Sequence, residues 1–315
     1  MGLKYEPALD GLRGISAIAV LLLHTHVPFC SHGGYGVNVF FVLSGFLITK
    51  ILLEQSTVNI GDYLNRRLRR LVPALVLMAT TVTLLVGWLI PRVAPAKIAQ
   101  LILALTYSMD IAMWRGSPIL PLSHTWTLAV EMQFYLIWPL VIARLKGRPN
   151  VQYVLLASWF FLVMIYKAPT EGHFDFNPIP FIGPLLLGAA IAFHGKTIAP
   201  QAQWLGAFLL IAGFGFSPHL VEVGTALLLA SITSSSKIGT ALSWKPVVFL
   251  GTISYGIYLW HFPISYALER TPWFVNFPVT LATSIIVASI SYFTVERVFR
   301  RPPNSRIIST ASAVA

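Results

Sequence analysis

Charged residues and cysteine are both scarce in this sequence of 315 residues. Charged side chains make up 10% of the chain, and Cys30 is its only cysteine. A soluble domain carries about 25% charged residues, so this shortage excludes an ordinary soluble protein. A single cysteine excludes an intramolecular disulfide and a cysteine-based metal cluster, and no metal is expected. The start, "MGLKYEPALD", lacks the basic region of a cleavable signal peptide, so we expect the first apolar segment to stay in the membrane.

Apolar residues take the place of the missing charges and make up 56% of the chain. Several apolar segments approach the ~20 residues that a helix needs to cross a bilayer, and the shorter ones need local thinning of the bilayer. The sequence therefore predicts an all-α fold, a polytopic membrane helix bundle. The segments lie near residues 12–31, 34–54, 71–91, 97–113, 124–145, 150–167, 178–195, 200–216, 219–234, 247–267 and 275–296.

The positions of lysine and arginine indicate which of these segments cross the membrane. Segment 97–113 contains Asp110 and lacks a continuous apolar core. If it does not cross, most of the 22 Lys and Arg residues lie at cytoplasmic ends, as the positive-inside rule requires. We therefore predict about ten transmembrane helices, both termini in the cytoplasm, and residues 92–123 as an outer-face or re-entrant excursion. The net charge of +11 is then explained by basic residues on the cytoplasmic side of the lipid bilayer. No nucleic-acid partner is expected.

Ionisable residues inside the apolar segments are the first candidates for a functional site, because each costs ~2.5 kcal/mol or more at the bilayer centre. Counted along straight helices from the inner boundary, His24 lies at about 18 Å, Glu131 at about 20 Å and His261 at about 21 Å. Arg13 precedes His24 by eleven residues and falls on nearly the same helix face. Three ionisable groups on three separate segments thus lie at one depth, which argues against coincidence and makes them candidates for one site.

Polar stripes on two of the segments predict a central polar cavity. One stripe contains Glu131 and Tyr135, and the other contains Tyr258 and His261, at helical spacing. Such a cavity suits a transporter that exports a glycan or an acylated metabolite as well as it suits an enzyme. The absence of an internal repeat and the arginine cluster "RRLRR" at 66–70 favour the enzyme, and the transporter is kept as the alternative.

Six motifs, in this order, make the chain resemble the membrane acyltransferase-3 family, bacterial inner-membrane enzymes that O-acetylate sugars and polysaccharides. They are "LDGLRGISAIAVLLLH", "GGYGVNVFFVLSGFLIT", "YLNRRLRRLVPAL", "SHTWTLAVEMQFYLIWP", "SYGIYLWHFPI" and "SYFTVERVFRR". The resemblance implies a membrane acyltransferase domain over residues 1–303, a short cytoplasmic tail over 304–315, and a stand-alone form without an added periplasmic hydrolase-like domain. The chain departs from the family at Asn38, where an aspartate is usual, and before "LLLGAAIA", where an arginine is usual.

The resemblance also implies a reaction and its partners. An acyl group, most simply acetyl, passes from cytoplasmic acetyl-CoA to a hydroxyl of a cell-surface polysaccharide, a lipopolysaccharide or an exopolysaccharide. Such a transfer needs a base for the hydroxyl proton and donors for the oxyanion. Direct transfer and a covalent acyl-enzyme both remain open.

The residues expected to carry this reaction fall into three groups. The catalytic residues are His24 as general base, Glu131 as its orienter or as a second base, and Arg13. The cluster Arg66, Arg67, Arg69 and Arg70 offers two Arg-x-x-Arg pairs for the phosphates of CoA, since guanidinium groups bind phosphate through two parallel bonds. Residues expected at the substrate or behind the catalytic groups are Asn38, Trp126, Tyr135, Tyr258 and His261.

Overall fold

The computed structural model describes residues 5–55, 58–89, 94–118, 121–165, 177–195, 198–233 and 236–300. Within these ranges the chain forms α-helices joined by short 3₁₀, π and irregular turns, without a β-strand, so the all-α prediction is confirmed. The predicted tail 304–315 lies outside the described residues. The helices are α1 (Pro7–His24), α2 (Gly36–Glu54), α3 (Ile60–Leu89), α4 (Ala94–Leu105), α5 (Met109–Trp114), α6 (Trp126–Leu145), α7 (Val151–Ile165), α8 (Ile182–His194), α9 (Ala202–Phe216), α10 (Pro218–Ser231), α11 (Lys237–Leu242), α12 (Lys245–Thr252), α13 (Ser254–Ala267), α14 (Trp273–Ser291) and α15 (Arg297–Arg300).

Several helical stretches are long and apolar enough to cross a membrane, which makes the chain a multi-pass membrane protein. In the described part of the chain there are five such stretches, and the bent pair α12 and α13 gives a sixth if it is counted as one span. The shorter apolar helices α7 to α10 have 13 to 15 residues each. The five long stretches are Pro7–His24, Gly33–Glu54, Ile60–Leu89, Ser123–Leu145 and Trp273–Phe299.

Two predicted segments are interrupted in the structure. Segment 97–113 divides into α4 and α5 at a turn where Tyr107 has a φ of 52°, and neither part reaches spanning length. Segment 247–267 bends by 70° between α12 and α13. The first predicted segment, 12–31, ends as a helix at His24, so this histidine stands at the end of α1 rather than in its middle.

Glycine allows the helices around the site to pack backbone to backbone. A Cβ atom at Gly45 of α2 would overlap the carbonyl group of Leu185 on α8, and one at Gly251 of α12 would overlap the carbonyl group of Asp10 on α1. Small residues at such contacts are typical of packed membrane helices. The contacts fix α1 against α12 and fix α2 against α8, and these helices surround the side chains described below.

Candidate active site

His24 and His261 form a hydrogen-bonded pair between the end of α1 and the middle of α13. His24 Nδ1 lies 3.2 Å from His261 Nε2 and 3.0 Å from the carbonyl oxygen of Val20. His261 Nδ1 lies 2.7 Å from the carbonyl oxygen of Tyr258 and 3.2 Å from that of Ile257. The structure therefore brings together two of the three residues that were expected at one depth.

These distances determine which nitrogen of each ring carries a proton. A carbonyl oxygen accepts only, so His261 Nδ1 must donate to Tyr258 and its Nε2 is left as an acceptor. His24 Nδ1 then donates to His261 Nε2 and to the carbonyl oxygen of Val20. In a neutral His24 this leaves Nε2 with a lone pair, which is the form a general base requires. Ser265 Oγ donates to the carbonyl oxygen of His24 and holds the end of α1 against α13.

His124 is a third imidazole at this position, and the sequence did not single it out as a site residue. Its ring centroid lies 5.8 Å from that of His261 and 5.6 Å from that of Tyr258. Its Nε2 lies 3.1 Å from the carbonyl oxygen of Leu259, to which it donates. The signal that could have found it is its place at the head of the polar stripe on α6, at the 3₁₀ turn Ser123–Thr125. The depth count instead places His124 at the outer membrane face, yet it is 4% exposed.

Glu131 lies further along α6, with a different set of partners. Because His124 stands beside His261, Glu131 is about 10 Å beyond the histidines along the helix axis. Glu131 Oε1 accepts a hydrogen bond from Ser44 Oγ, and Tyr135 donates to the same serine at 3.3 Å. This offset differs from the equal depth expected for His24 and Glu131, and the described hydrogen bonds of His24 do not include Glu131. The expected depth of Glu131 was counted along α6 on the assumption that His124 lies at the membrane surface.

A pocket joins Glu131 to the arginines at the start of α1 and α3. Arg67 and Arg70 line it, whereas Arg66 and Arg69 do not and Arg66 is exposed. The guanidinium carbon of Arg67 lies 5.5 Å from the centre of the Tyr135 ring, within the range of a cation–π contact. The residues that give the pocket its charge and its hydroxyl groups include Arg13, Arg67, Arg70, Glu131, Tyr135 and Tyr258.

Tyr258 lies at the boundary between this pocket and the histidines. Its hydroxyl donates to the carbonyl oxygen of His124 at 2.9 Å and lies 2.5 Å from Thr127 Oγ1. Its ring centroid lies 5.4 Å from that of His261. The structure therefore brings together Arg13, Arg67, Glu131 and Tyr135 on one side of Tyr258, and His24, His124 and His261 on the other.

Two further predicted residues, Asn38 and Trp126, contact other segments of the chain. Asn38 Nδ2 donates to Glu222 Oε1 of α10 at 2.7 Å, and Glu222 also accepts from the Trp159 indole at 2.7 Å. Trp126 is 7% exposed and packs edge-on against Phe181, with the ring centroids 4.7 Å apart. Both residues thus connect distant segments. In the part of the chain that the structure describes, no group of three His, Cys, Asp or Glu side chains is arranged to hold a metal ion.

Comparison with known proteins identifies the family to which this arrangement belongs. The model of the acyltransferase-3 family, described as "Acyltransferase domain", matches residues 6–295. The chain is 30% identical to the "Putative peptidoglycan O-acetyltransferase YrhL" of Bacillus subtilis, in an alignment that covers 94% of this chain and 55% of that protein. No solved structure matches the chain.

Two further relatives carry similar descriptions. The "Peptidoglycan O-acetyltransferase OatA" of Listeria monocytogenes is 30% identical, in an alignment that covers 95% of this chain and 56% of the relative. The "O-acetyltransferase OatA" of Staphylococcus aureus is 29% identical, in an alignment that covers 95% of this chain and 58% of the relative. The chain thus spans little more than half the length of these relatives. The family match favours the enzyme over the transporter alternative, and the chain belongs to the acyltransferase-3 family.

Proposed function

We propose that this chain transfers an acetyl group from cytoplasmic acetyl-CoA to a hydroxyl of a carbohydrate at the bacterial cytoplasmic membrane. The observation that carries the proposal is the His24–His261 pair, which presents an unprotonated nitrogen next to a pocket containing arginines. Two relatives are named as peptidoglycan O-acetyltransferases, which favours a cell-wall sugar as acceptor. A polysaccharide, lipopolysaccharide or exopolysaccharide presents the same hydroxyl chemistry.

His24 is the general base of the proposed reaction. Its Nε2 takes the proton of the acceptor hydroxyl while the hydroxyl oxygen attacks the thioester carbonyl. The carbon–sulfur bond breaks, and the CoA sulfur leaves with the proton that His24 returns. The orienting role expected for Glu131 passes to His261, which accepts from His24 Nδ1. A carboxylate commonly has this role, and the neutral imidazole supplies the same acceptor.

The CoA phosphates are assigned to Arg67 and Arg70 rather than to Arg66 and Arg69. The first pair lines the pocket, and the second lies outside it, with Arg69 Nε donating to Asn65 Oδ1 at 3.0 Å. Arg13 adds a third cation to the pocket wall. From there the thioester arm would run past Glu131 and Tyr135 towards Tyr258. Glu131 is then a carboxylate in the wall of the pocket that binds the donor.

Ten crossings with both termini in the cytoplasm agree best with the charge distribution and the helices. The five long stretches, the bent pair α12 and α13, and the four short helices α7 to α10 make up this number. The segment containing α4 and α5 is then re-entrant. Gln133 of α6 donates to the carbonyl oxygen of Tyr107 at 3.4 Å and to Asp110 Oδ2 at 2.9 Å, and Gln133 lies about 13 Å along α6 from His124. Residues 1–303 form the acyltransferase domain in this proposal, and 304–315 a cytoplasmic tail.

A transfer assay with the purified chain tests the proposal. The full chain is reconstituted in liposomes with acetyl-CoA labelled in its acetyl group and with soluble peptidoglycan fragments. Release of the CoA thiol together with label on the glycan is the expected result, and the His24→Ala variant should give neither. Mass spectrometry of surface glycans from cells with and without the gene extends the test to other carbohydrates. Absence of both thioester cleavage and glycan acetylation in the wild type would overturn the proposal.

A further inference from the structure

Phe262 and Tyr266 form a short aromatic track that begins beside His24 and His124. Phe262 meets His24 edge-on, with the centroids 4.8 Å apart at 86°, and lies 5.1 Å from the His124 ring at 33°. Tyr266 follows one helical turn later on α13, and its ring lies 6.2 Å from that of Phe262. One aromatic ring therefore contacts both imidazoles, and a second extends the surface.

The track points away from the arginine pocket. At its start, α13 presents Ser254, Tyr255 and Tyr258 to that pocket. His261 follows in the middle, and Phe262 and Tyr266 come towards the end of the helix. Because Tyr258 separates the pocket from the histidines, a second substrate can reach His24 from the opposite side without crossing the donor path.

Burial separates these two rings from two tryptophans near the site. Phe262 and Tyr266 are partly exposed, whereas His261 is 1% exposed. These tryptophans, Trp126 and Trp138 of α6, are 7% and 4% exposed. The Trp138 indole also donates to Thr49 Oγ1 at 2.7 Å. Phe262 and Tyr266 thus offer ring surface next to the base, and the two tryptophans do not.

We propose that Phe262 and Tyr266 bind the apolar face of a pyranose ring in the acceptor and present one of its hydroxyl groups to His24. A pyranose has a face of C–H groups and a rim of hydroxyls, which matches aromatic rings beside a hydrogen-bonding base. The phosphates of the donor match the arginines on the other side. This inference rests on the proposed function, since it names the acceptor site of that reaction.

Kinetics of matched variants test this inference. Phe262→Leu and Tyr266→Leu keep an apolar side chain but remove the planar ring, so the KM for the glycan should rise about 3- to 10-fold. The KM for acetyl-CoA should stay unchanged, because the donor is assigned to the arginine pocket, which neither ring lines. Phe262→Tyr and Tyr266→Phe keep the rings and should retain the wild-type KM. Phe274→Leu removes an exposed ring from α14 and serves as the control.

The outcomes separate this inference from the proposed function. An unchanged glycan KM in both leucine variants would overturn the stacking site while leaving the transfer reaction in place. An equal rise in the KM for both substrates would also overturn it, since that pattern reports a general disturbance of His24. If Phe262→Leu does not fold, Tyr266→Leu and the ring-retaining variants still decide the question. A wild-type protein that acetylates no carbohydrate would instead overturn the proposed function.

Discussion

His261 holds His24 through a single nitrogen–nitrogen contact of 3.2 Å, and its own second nitrogen is fixed by the carbonyl oxygens of Tyr258 and Ile257. The backbone of α13 therefore determines the tautomer of His261, and His261 together with the carbonyl oxygen of Val20 determines that of His24. Two acceptors thus place the proton of His24 on Nδ1, without a carboxylate in contact with either ring among the described hydrogen bonds.

The turnover of variants at His261 should depend on whether the new side chain accepts a hydrogen bond from His24 or donates one to it. His261→Gln offers an oxygen that accepts from Nδ1, so we expect it to retain most of the turnover. His261→Lys offers only donors, so it competes with the donation from His24 Nδ1 to the carbonyl oxygen of Val20 and favours the tautomer with the proton on Nε2. Loss of a base costs about 10²- to 10⁴-fold in rate. His261→Met, of similar size and without a charge, should fall between them. Equal turnover of the Lys and Met variants in the acetyl-transfer assay would contradict the tautomer assignment.

The two Arg-x-x-Arg pairs on α3 should differ in their effect on the donor. Arg67→Lys with Arg70→Lys keeps the charge and removes the guanidinium forks inside the pocket. A charge-assisted hydrogen bond contributes about 1.5 kcal/mol, so the KM for acetyl-CoA should rise about tenfold. Arg66→Lys with Arg69→Lys changes residues of the same helix outside the pocket and is the matched control, with no change expected. Equal KM values in the two double variants would leave the cluster as a topology signal alone.

The stability of the protein should depend on having a single carboxylate in the hydrogen-bonded pair of Asn38 and Glu222. Asn38→Asp places a second carboxylate beside Glu222, and an uncompensated buried charge costs about 3 kcal/mol. Adding Glu222→Gln reverses donor and acceptor, since the amide introduced on α10 can donate to the carboxylate introduced on α2 and still accept from Trp159. Thermal unfolding in detergent should show a lower Tm for the single variant and recovery in the double variant. A double variant less stable than Asn38→Asp would show that Glu222 is needed as a charge.

The sequence predicted the helices and a common depth for His24 and His261 because both follow from periodicity and polarity. Apolar length identifies a helix, and an imidazole in an apolar segment must find a partner inside the protein. The single depth scale worked for these two residues, since α1 and α13 lie side by side and Ser265 connects them.

The same depth scale was wrong for Glu131 because it assumed that every helix begins at the membrane face. The 3₁₀ turn Ser123–Thr125 lies inside the protein, so α6 starts deeper than a hydropathy count suggests. The burial of His124 and the bend at Ile253 depend on contacts between distant segments, such as the bond from His124 to Leu259. No local pattern encodes such contacts.

The re-entrant assignment of the α4–α5 segment predicts the sides of two exposed arginines. A cysteine at Arg115 should react with a membrane-impermeant maleimide added to intact spheroplasts, because it lies on the outer side. A cysteine at Arg148, between α6 and α7, should react only after the membrane is opened. Cys30→Ser in the background removes the native thiol. Labelling of both positions from the same side would exclude ten crossings.

Replacement of His24 itself should separate chemistry from donor binding. His24→Ala removes the base, so acetyl transfer should fall by about 10²-fold or more, while the protein still inserts, since loss of a polar side chain favours a membrane helix. Donor binding should survive, because Arg67 and Arg70 lie beyond Tyr258 in the pocket. Glu131→Gln should affect donor binding more than chemistry. The His24–His261 pair stays intact, while removal of a negative charge from the pocket should change the Kd for acetyl-CoA more than the rate of transfer. Isothermal titration with CoA, paired with the transfer assay, measures both quantities, and near-normal transfer by His24→Ala would remove the histidine from the mechanism.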